Sequence, residues 1–169
     1  MEFEMSQTTS MGDYEICAKM MLLNDPWITL GMNFNDCLAA FEGHHREVYV
    51  LKSKNENNTE AIDANNQIKG FIIIQPLGTF KGYIQTICVH ESCRGKGLGT
   101  ELIHFAEKII SQYSPNVFIC VSSFNKKALA LYTKLGFELV GELPNFVKAG
   151  FTELLLRKSK GSILGYYHK

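Results

Sequence analysis

The run Tyr83-Ile84-Gln85-Thr86-Ile87-Cys88-Val89-His90-Glu91-Ser92-Cys93-Arg94-Gly95-Lys96-Gly97-Leu98-Gly99-Thr100, continued from Glu101 to Tyr113, decides the fold. Its first seven residues alternate and are rich in β-branched and aromatic side chains, which predicts a strand. Its last part places Leu98, Leu102, Phe105, Ala106, Ile109 and Tyr113 at steps of three and four, one apolar face of a helix. Between them lies a loop with three glycines in five residues and two cations, Arg94 and Lys96. Strand, glycine-rich basic loop and helix form a phosphate-binding design. The unpaired N–H groups of a helix's first turn and its dipole attract an anion, and glycines let a diphosphate approach the backbone. Arg94 and Lys96 add charge-assisted contacts.

Outward from this stretch, the 169 residues are enough for one domain with its own core, 1–169 with the elements over about 13–158. Lysine plus arginine equal aspartate plus glutamate, so the formal net charge is zero, which argues against a nucleic-acid surface built on clustered cations. The five cysteines (Cys17, Cys37, Cys88, Cys93, Cys120) are odd in number and include no CxxC pair, which fits a reducing cytoplasm. The acidic start Met1-Glu2-Phe3-Glu4-Met5 is unlike a secretory leader. No apolar run approaches the roughly 18 to 20 residues that cross a bilayer, so no membrane is expected.

Along the chain, residues 1–12 read as a frayed end or a short edge strand around Phe3. Asp13 is the expected N-cap of a helix to about Leu23, stopped by Asn24-Asp25-Pro26. A second short helix is expected from Asn35 and Asp36 to about Phe41. Glu47 to Leu51 and Gln67 to Gln75 read as strands, the second buried, joined by a solvated loop over Ser53 to Asn66. Asn116 to Val121 is a further buried strand, parallel to the Tyr83 strand through the intervening helix. Asn125 opens a helix with Ala128, Leu131, Tyr132 and Leu135 on one face, and Gly136 ends it. Glu138 to Leu143 and Phe151 to Arg157 read as an antiparallel pair. The basic tail, Lys158 to Lys169, is loose or docks on a second subunit, so monomer and homodimer both stand. This order gives an α/β (α+β) sandwich, a mixed sheet covered by helices.

Two motifs in this order make the chain resemble the GNAT superfamily of N-acetyltransferases. Arg94-x-x-Gly97-x-Gly99 after Ile87-Cys88-Val89 is similar to that superfamily's acyl-CoA diphosphate signature. Asn125, with Tyr132 seven residues on and then Gly136-Phe137, is similar to its second signature. The resemblance implies a mostly antiparallel mixed sheet with one splayed parallel strand pair and helices on both faces. It implies acetyl-CoA as co-substrate, no metal, and an amine acceptor. The backbone of Ile87, Cys88 and Val89 would pair with the pantetheine arm, and the amides of Arg94, Gly95, Lys96, Gly97, Leu98, Gly99 and Thr100 would hold the diphosphate. Asn125 would bond the arm, Tyr132 would also touch the cofactor and protonate the departing thiolate, and a backbone N–H near Cys88 would stabilise the oxyanion.

The base is not supplied by resemblance. Relatives that acetylate ribosomal-protein N-termini carry a Glu at the position of Cys120, and histone-type relatives carry one at about the position of Tyr83. The candidates in this chain are Glu153, on the last strand, and water relayed by Gln85 or Tyr83.

Plainer readings stand beside these. The glycine loop is also a possible turn, Tyr132 a possible core aromatic, Asn125 a possible cap alone, and Trp27 with Phe34 either core filling or a wall of the acceptor pocket. The glycine spacing fits neither a Walker loop nor a dinucleotide fingerprint. Cys88 and His90 share a strand face without a second ligand cluster, so a metal is not expected. Cys88 and Cys120 keep a covalent acyl route formally open, with no histidine placed to activate either. The functional expectation is an acetyl-CoA-dependent N-acetyltransferase acting on a primary amine; the alternative is a degenerate module that binds acyl-CoA without turnover.

Overall fold

The computed structural model describes residues 2–54 and 67–166. Most of the expected Ser53 to Asn66 loop, and Tyr167 to Lys169 of the tail, lie outside the described residues. Among the described residues, seven strands form one sheet, mostly antiparallel, in the order β1-β2-β3-β4-β5-β7-β6. These are β1 (Phe3–Thr8), β2 (Glu47–Ser53), β3 (Ile68–Gln75), β4 (Tyr83–Val89), β5 (Asn116–Ser122), β6 (Glu138–Pro144) and β7 (Thr152–Ser159). The helices are α1 (Met11–Leu22), α2 (Trp27–Leu30), α3 (Phe34–Leu38), α4 (Leu98–Ile110), α5 (Lys126–Lys134) and α6 (Ile163–Tyr166). No helix among the described residues is long and apolar enough to cross a membrane.

The chain divides into two compact units. The first comprises residues 1–73 and 86–102. Its core joins Cys17, Ala18, Met20 and Met21 of α1 and Cys37 of α3 to Phe41, Val48, Val50, Ile68, Phe71, Ile73 and Cys88. The Phe41 ring stacks on Tyr14 at 5.1 Å and leans on Phe71 at 5.4 Å. Residues 3–8 form an edge strand antiparallel to β2, from Phe3↔Ser53 to Thr8↔Val48. Ser10, not Asp13, caps α1: its side chain accepts from the Asp13 N–H. Asp13 instead pairs with Lys52 at 3.1 Å and accepts from Thr8 Oγ1, a tertiary use that local pattern does not reveal. The expected second helix starts at Phe34, capped by Asn33 in a reciprocal box with Asp36, and α2 precedes it unannounced. Trp27 and Phe34 both pack against the core cluster, as the core-filling reading expected.

The second unit comprises residues 74–85 and 103–169. Here β4 runs parallel to β5 over Tyr83↔Phe118 and Ile84↔Ile119. The β5–β7 ladder is longer, running antiparallel from Asn116↔Ser159 to Ser122↔Glu153. Gly82 leads into β4 at φ +85°, where a Cβ would stand 2.5 Å from Ile110 Cγ2 and 2.6 Å from the Asn116 carbonyl oxygen. Only glycine fits there, because the backbone of one strand presses on the helix and strand that follow. Asn125 caps α5 by accepting the Ala128 N–H at 3.2 Å, and Gly136 follows its end at φ +88°. The tail is not loose throughout: α6 follows β7, and Tyr166 Oη donates to the Ser111 carbonyl.

Candidate active site

The glycine loop expected to bind a diphosphate, Arg94 to Thr100, lies in the first unit. Along β4 burial alternates, so Cys88 is buried while Ile87 and Val89 are half-buried. Cys88 is 5% exposed within the core cluster, and burial pushes its thiol up to about 12, with Arg94 opposing and Cys37 reinforcing the shift. That thiol stays protonated near neutral pH and is a poor nucleophile. β4 ends at Val89, and the His90 N–H still donates to the Lys69 carbonyl at 2.9 Å. His90 begins the loop, its Nδ1 meeting Ser92 Oγ at 2.8 Å.

A single 3₁₀ turn, Glu91–Cys93, follows. Its hydrogen bonds run from Cys93 N to His90 O at 2.9 Å and from Arg94 N to Glu91 O at 3.2 Å. The Arg94 amide is therefore engaged, and the amides available to an anion begin at Gly95 rather than Arg94. Gly95 and Gly97 take φ of +73° and +85°, the left-handed region that favours glycine. Nothing lies within 4 Å of where their Cβ atoms would stand, so they are required by backbone shape and not by crowding. Lys96 folds back to donate from Nζ to the Ser92 carbonyl at 2.9 Å. Leu98, 2% exposed, pins the first turn of α4, leaving Gly99 and Thr100 half-buried at its start. An exposed, left-handed glycine loop feeding a helix N-terminus with Arg94 beside it is chemically suited to a diphosphate.

The residues expected to act as acid and base, Tyr132 and Glu153, lie in the second unit. Tyr132 is 5% exposed on α5, its ring 6.0 Å from that of Phe137. Glu153, second residue of β7, is 4% exposed and faces Ser122, the last residue of β5. Ser122 Oγ donates to Glu153 Oε1 at 2.6 Å. Burial raises the Glu153 carboxyl above the usual carboxylate range, and the Ser122 hydrogen bond partly offsets the rise. Two positions back along β5, the Cys120 thiol is hydrogen-bonded to Tyr83 on β4. Burial raises both of these groups, and the Glu153 charge adds to each shift. Gln75 Nε2 donates to Gln85 Oε1 at 2.7 Å.

The strands thus gather Tyr83, Cys120, Ser122 and Glu153 in one cluster holding a single carboxylate. Sequence reading named Glu153 and Tyr83 and missed Ser122. Its link to Glu153 depends on the β5–β7 register, which no local pattern encodes; the only available hint was that Ser122 shares strand parity with Cys120.

Comparison with known proteins adds identity to this geometry. The profile of the Acetyltransferase (GNAT) family matches residues 23–137. An L-methionine sulfoximine/L-methionine sulfone acetyltransferase of Pseudomonas paraeruginosa is 29% identical over 111 residues, covering 63% of this chain and 60% of that protein. A mycothiol acetyltransferase of Mycobacterium sp. is 30% identical over 82 residues, 46% of this chain and 27% of that one. The chain therefore spans less than two thirds of either relative's length. Among solved structures, NAA60 of Arabidopsis thaliana in complex with a bisubstrate analogue superposes with a TM-score of 0.72 at 18% identity, covering 95% of this chain and 100% of that one. The ribosomal-protein-S18-alanine N-acetyltransferase of Escherichia coli gives 0.70 at 14% identity, covering 95% and 96%. These likenesses agree on the fold, and the profile spans both signatures, from before β2 to Phe137 just ahead of β6. The chain belongs to the Acetyltransferase (GNAT) family.

Proposed function

We infer that the protein transfers the acetyl group of acetyl-CoA to a primary amine by direct attack, with Glu153 as general base and Tyr132 as general acid. The amides from Gly95 to Thr100 and the Arg94 guanidinium hold the diphosphate, and the backbone of Ile87, Cys88 and Val89 pairs with the pantetheine arm beside Asn125. Acetyl-CoA supplies the activated thioester. A lysine-like ammonium of pKa ~10.4 costs about 4 to 5 kcal/mol to deprotonate at pH 7, so a base near the acceptor matters. Glu153 takes that proton, the amine lone pair attacks the thioester carbonyl, and the C–S bond breaks as Tyr132 gives its proton to the leaving thiolate; the second proton that the nitrogen sheds on forming the amide passes through solvent to the Tyr132 phenolate. A main-chain N–H near Cys88 meets the developing oxyanion.

The observation that carries this reading is the placement of Glu153. The resemblance would put a carboxylate at the position of Cys120 or of Tyr83; this chain has none at either, and Glu153, on β7 beside β5, is the carboxylate whose charge acts on both. Burial raises both the Cys88 and the Cys120 thiol, which speaks against a thiol acyl carrier.

The test is thiol release from acetyl-CoA across a panel of amines: α-amino acids including L-methionine sulfoximine, arylalkylamines, polyamines, aminoglycosides and peptide N-termini. Amine-dependent release with acetylated product supports the reading. Tight binding of acetyl-CoA with no release for any amine overturns it in favour of a binding module.

A further inference from the structure

Glu153 does not stand alone. The β5–β7 ladder sets it opposite Ser122, and both residues are almost wholly buried, at 4% and 2% exposed. Ser122 Oγ lies 2.6 Å from Oε1, within the range of a charge-assisted hydrogen bond from a hydroxyl to a carboxylate. The backbone holds the two as closely as their side chains do: the Ser123 N–H donates to the Thr152 carbonyl at 2.9 Å, and the Asn125 N–H to the Ser122 carbonyl at 2.8 Å. The serine therefore sits between a strand end and the α5 cap, with little freedom to turn away.

We propose that Ser122 is the positioning residue of the reaction: it occupies Glu153 Oε1 and presents Oε2 to the acceptor ammonium. This rests on Glu153 being the base. The proton balance is simple. The ammonium proton passes to Oε2, Ser122 keeps its own proton and stays a donor to Oε1, and solvent takes the proton from Oε2 after transfer.

The competing influences on Glu153 agree with this role. Burial disfavours its charged form, and the Ser122 hydrogen bond opposes that. The titratable groups sharing its cluster are the Cys120 thiol of β5 and the Tyr83 phenol of β4, both raised and so protonated near neutral pH. On the β6 side its register partner is Leu143, which does not titrate. Ser122 is thus the neighbour whose hydrogen bond favours the carboxylate.

The experiment is a ¹³C NMR titration of glutamate carboxyls in the full chain for wild type, Ser122→Ala and Ser122→Thr, with Glu153→Gln identifying the resonance. The kcat/KM pH profile is measured on the same proteins with an amine that the panel identifies. Ser122→Ala should raise the Glu153 midpoint by about one pH unit, the size of losing one hydrogen bond to a charged group, and move the acidic limb of the profile with it. Ser122→Thr, which keeps the hydroxyl, should restore both. An alanine variant titrating like wild type overturns the proposal, as do equal shifts in alanine and threonine variants, which would mean packing alone. If Ser122→Ala does not fold, Ser122→Cys, a weaker donor of similar size, should give a smaller upward shift. A slow Glu153→Gln with an unmoved Ser122→Ala removes only the serine's role. A Glu153→Gln that is fully active at every pH removes the base, and this role with it.

Discussion

Ser122 and Glu153 close the β5–β7 ladder with a 2.6 Å hydrogen bond from the hydroxyl of one to the carboxylate of the other. The bond joins the end of β5 to β7, so the carboxylate of the second unit's cluster comes from a strand late in the sequence. Two consequences for catalysis follow directly from that carboxylate.

Glu153→Gln removes the charge and keeps the shape. The expected outcome is a fall in kcat/KM of about a hundredfold or more at pH 7, within the range for losing a positioned base. The acetyl-CoA dissociation constant should stay put, since the carboxylate is assigned to the acceptor. In wild type the rate should rise with pH through a midpoint above the usual carboxylate value, because burial raises this group and only its ionised form accepts a proton. A stopped assay of thiol release against pH reads both.

Tyr132→Phe should keep the ring's contact with Phe137, 6.0 Å between centroids, and so keep α5 packed. It should lower kcat roughly ten- to a thousandfold, in or near the range for losing a positioned acid, with acetyl-CoA affinity little changed. Turnover equal to wild type would assign Tyr132 to the core alone.

Gly97 makes a cleaner separation of binding from folding. At φ +85° an alanine is strained by about 1 kcal/mol, yet its Cβ would meet nothing within 4 Å. Gly97→Ala should therefore lower the melting temperature by only about 2 to 4 °C while weakening acetyl-CoA binding, because the amides move out of line and a methyl group enters the space proposed for the diphosphate. Calorimetric titration with coenzyme A measures it.

The glycine loop, the strand before it and the helix after it were legible because their signals are local: alternation, a 3.6-residue period, and glycines at positions that prove to have positive φ. The Asn125 cap and Gly136 were legible for the same reason. The α1 cap was misplaced by three residues, since Ser10-x-x-Asp13 offers two capping side chains and Asp13 is taken by Lys52, 39 positions on. α2 is four residues long, too short to show a period, and was missed. The acid–base cluster was half legible. Glu153 could be named from its place in the last strand, but its pairing with Ser122, and the Tyr83–Cys120 contact, come from strand register across 31 and 37 positions, which propensity does not carry.

Gly82→Ala should act in the opposite way to Gly97→Ala. Its Cβ would fall 2.5 Å from Ile110 Cγ2 and 2.6 Å from a backbone oxygen at φ +85°, so the helix or strand must shift. A loss of about 2 kcal/mol or more in unfolding free energy is expected, from strain and overpacking together. Urea denaturation checks it.

The burial of Glu153 also sets how stability varies with pH. Its folded pKa is raised, so the folded state holds the carboxyl proton more tightly than the unfolded chain, where a glutamate titrates near ~4.3. Below that value both states are protonated and the residue contributes no difference. As pH rises above it, the unfolded chain ionises first and gains, so stability falls until pH passes the folded pKa, after which the penalty is constant. The contribution of Glu153 is thus destabilising at neutral pH, opposite in sign to that of an ion-paired surface carboxylate. Glu153→Gln cannot titrate, so the difference in unfolding free energy between it and wild type should grow in the variant's favour from about pH 4 upward and then level off. Urea melts of both proteins across that range measure the difference directly. A difference that stays flat with pH would mean that the carboxyl titrates alike in the folded and unfolded chain, leaving it no more basic toward an ammonium than any exposed glutamate.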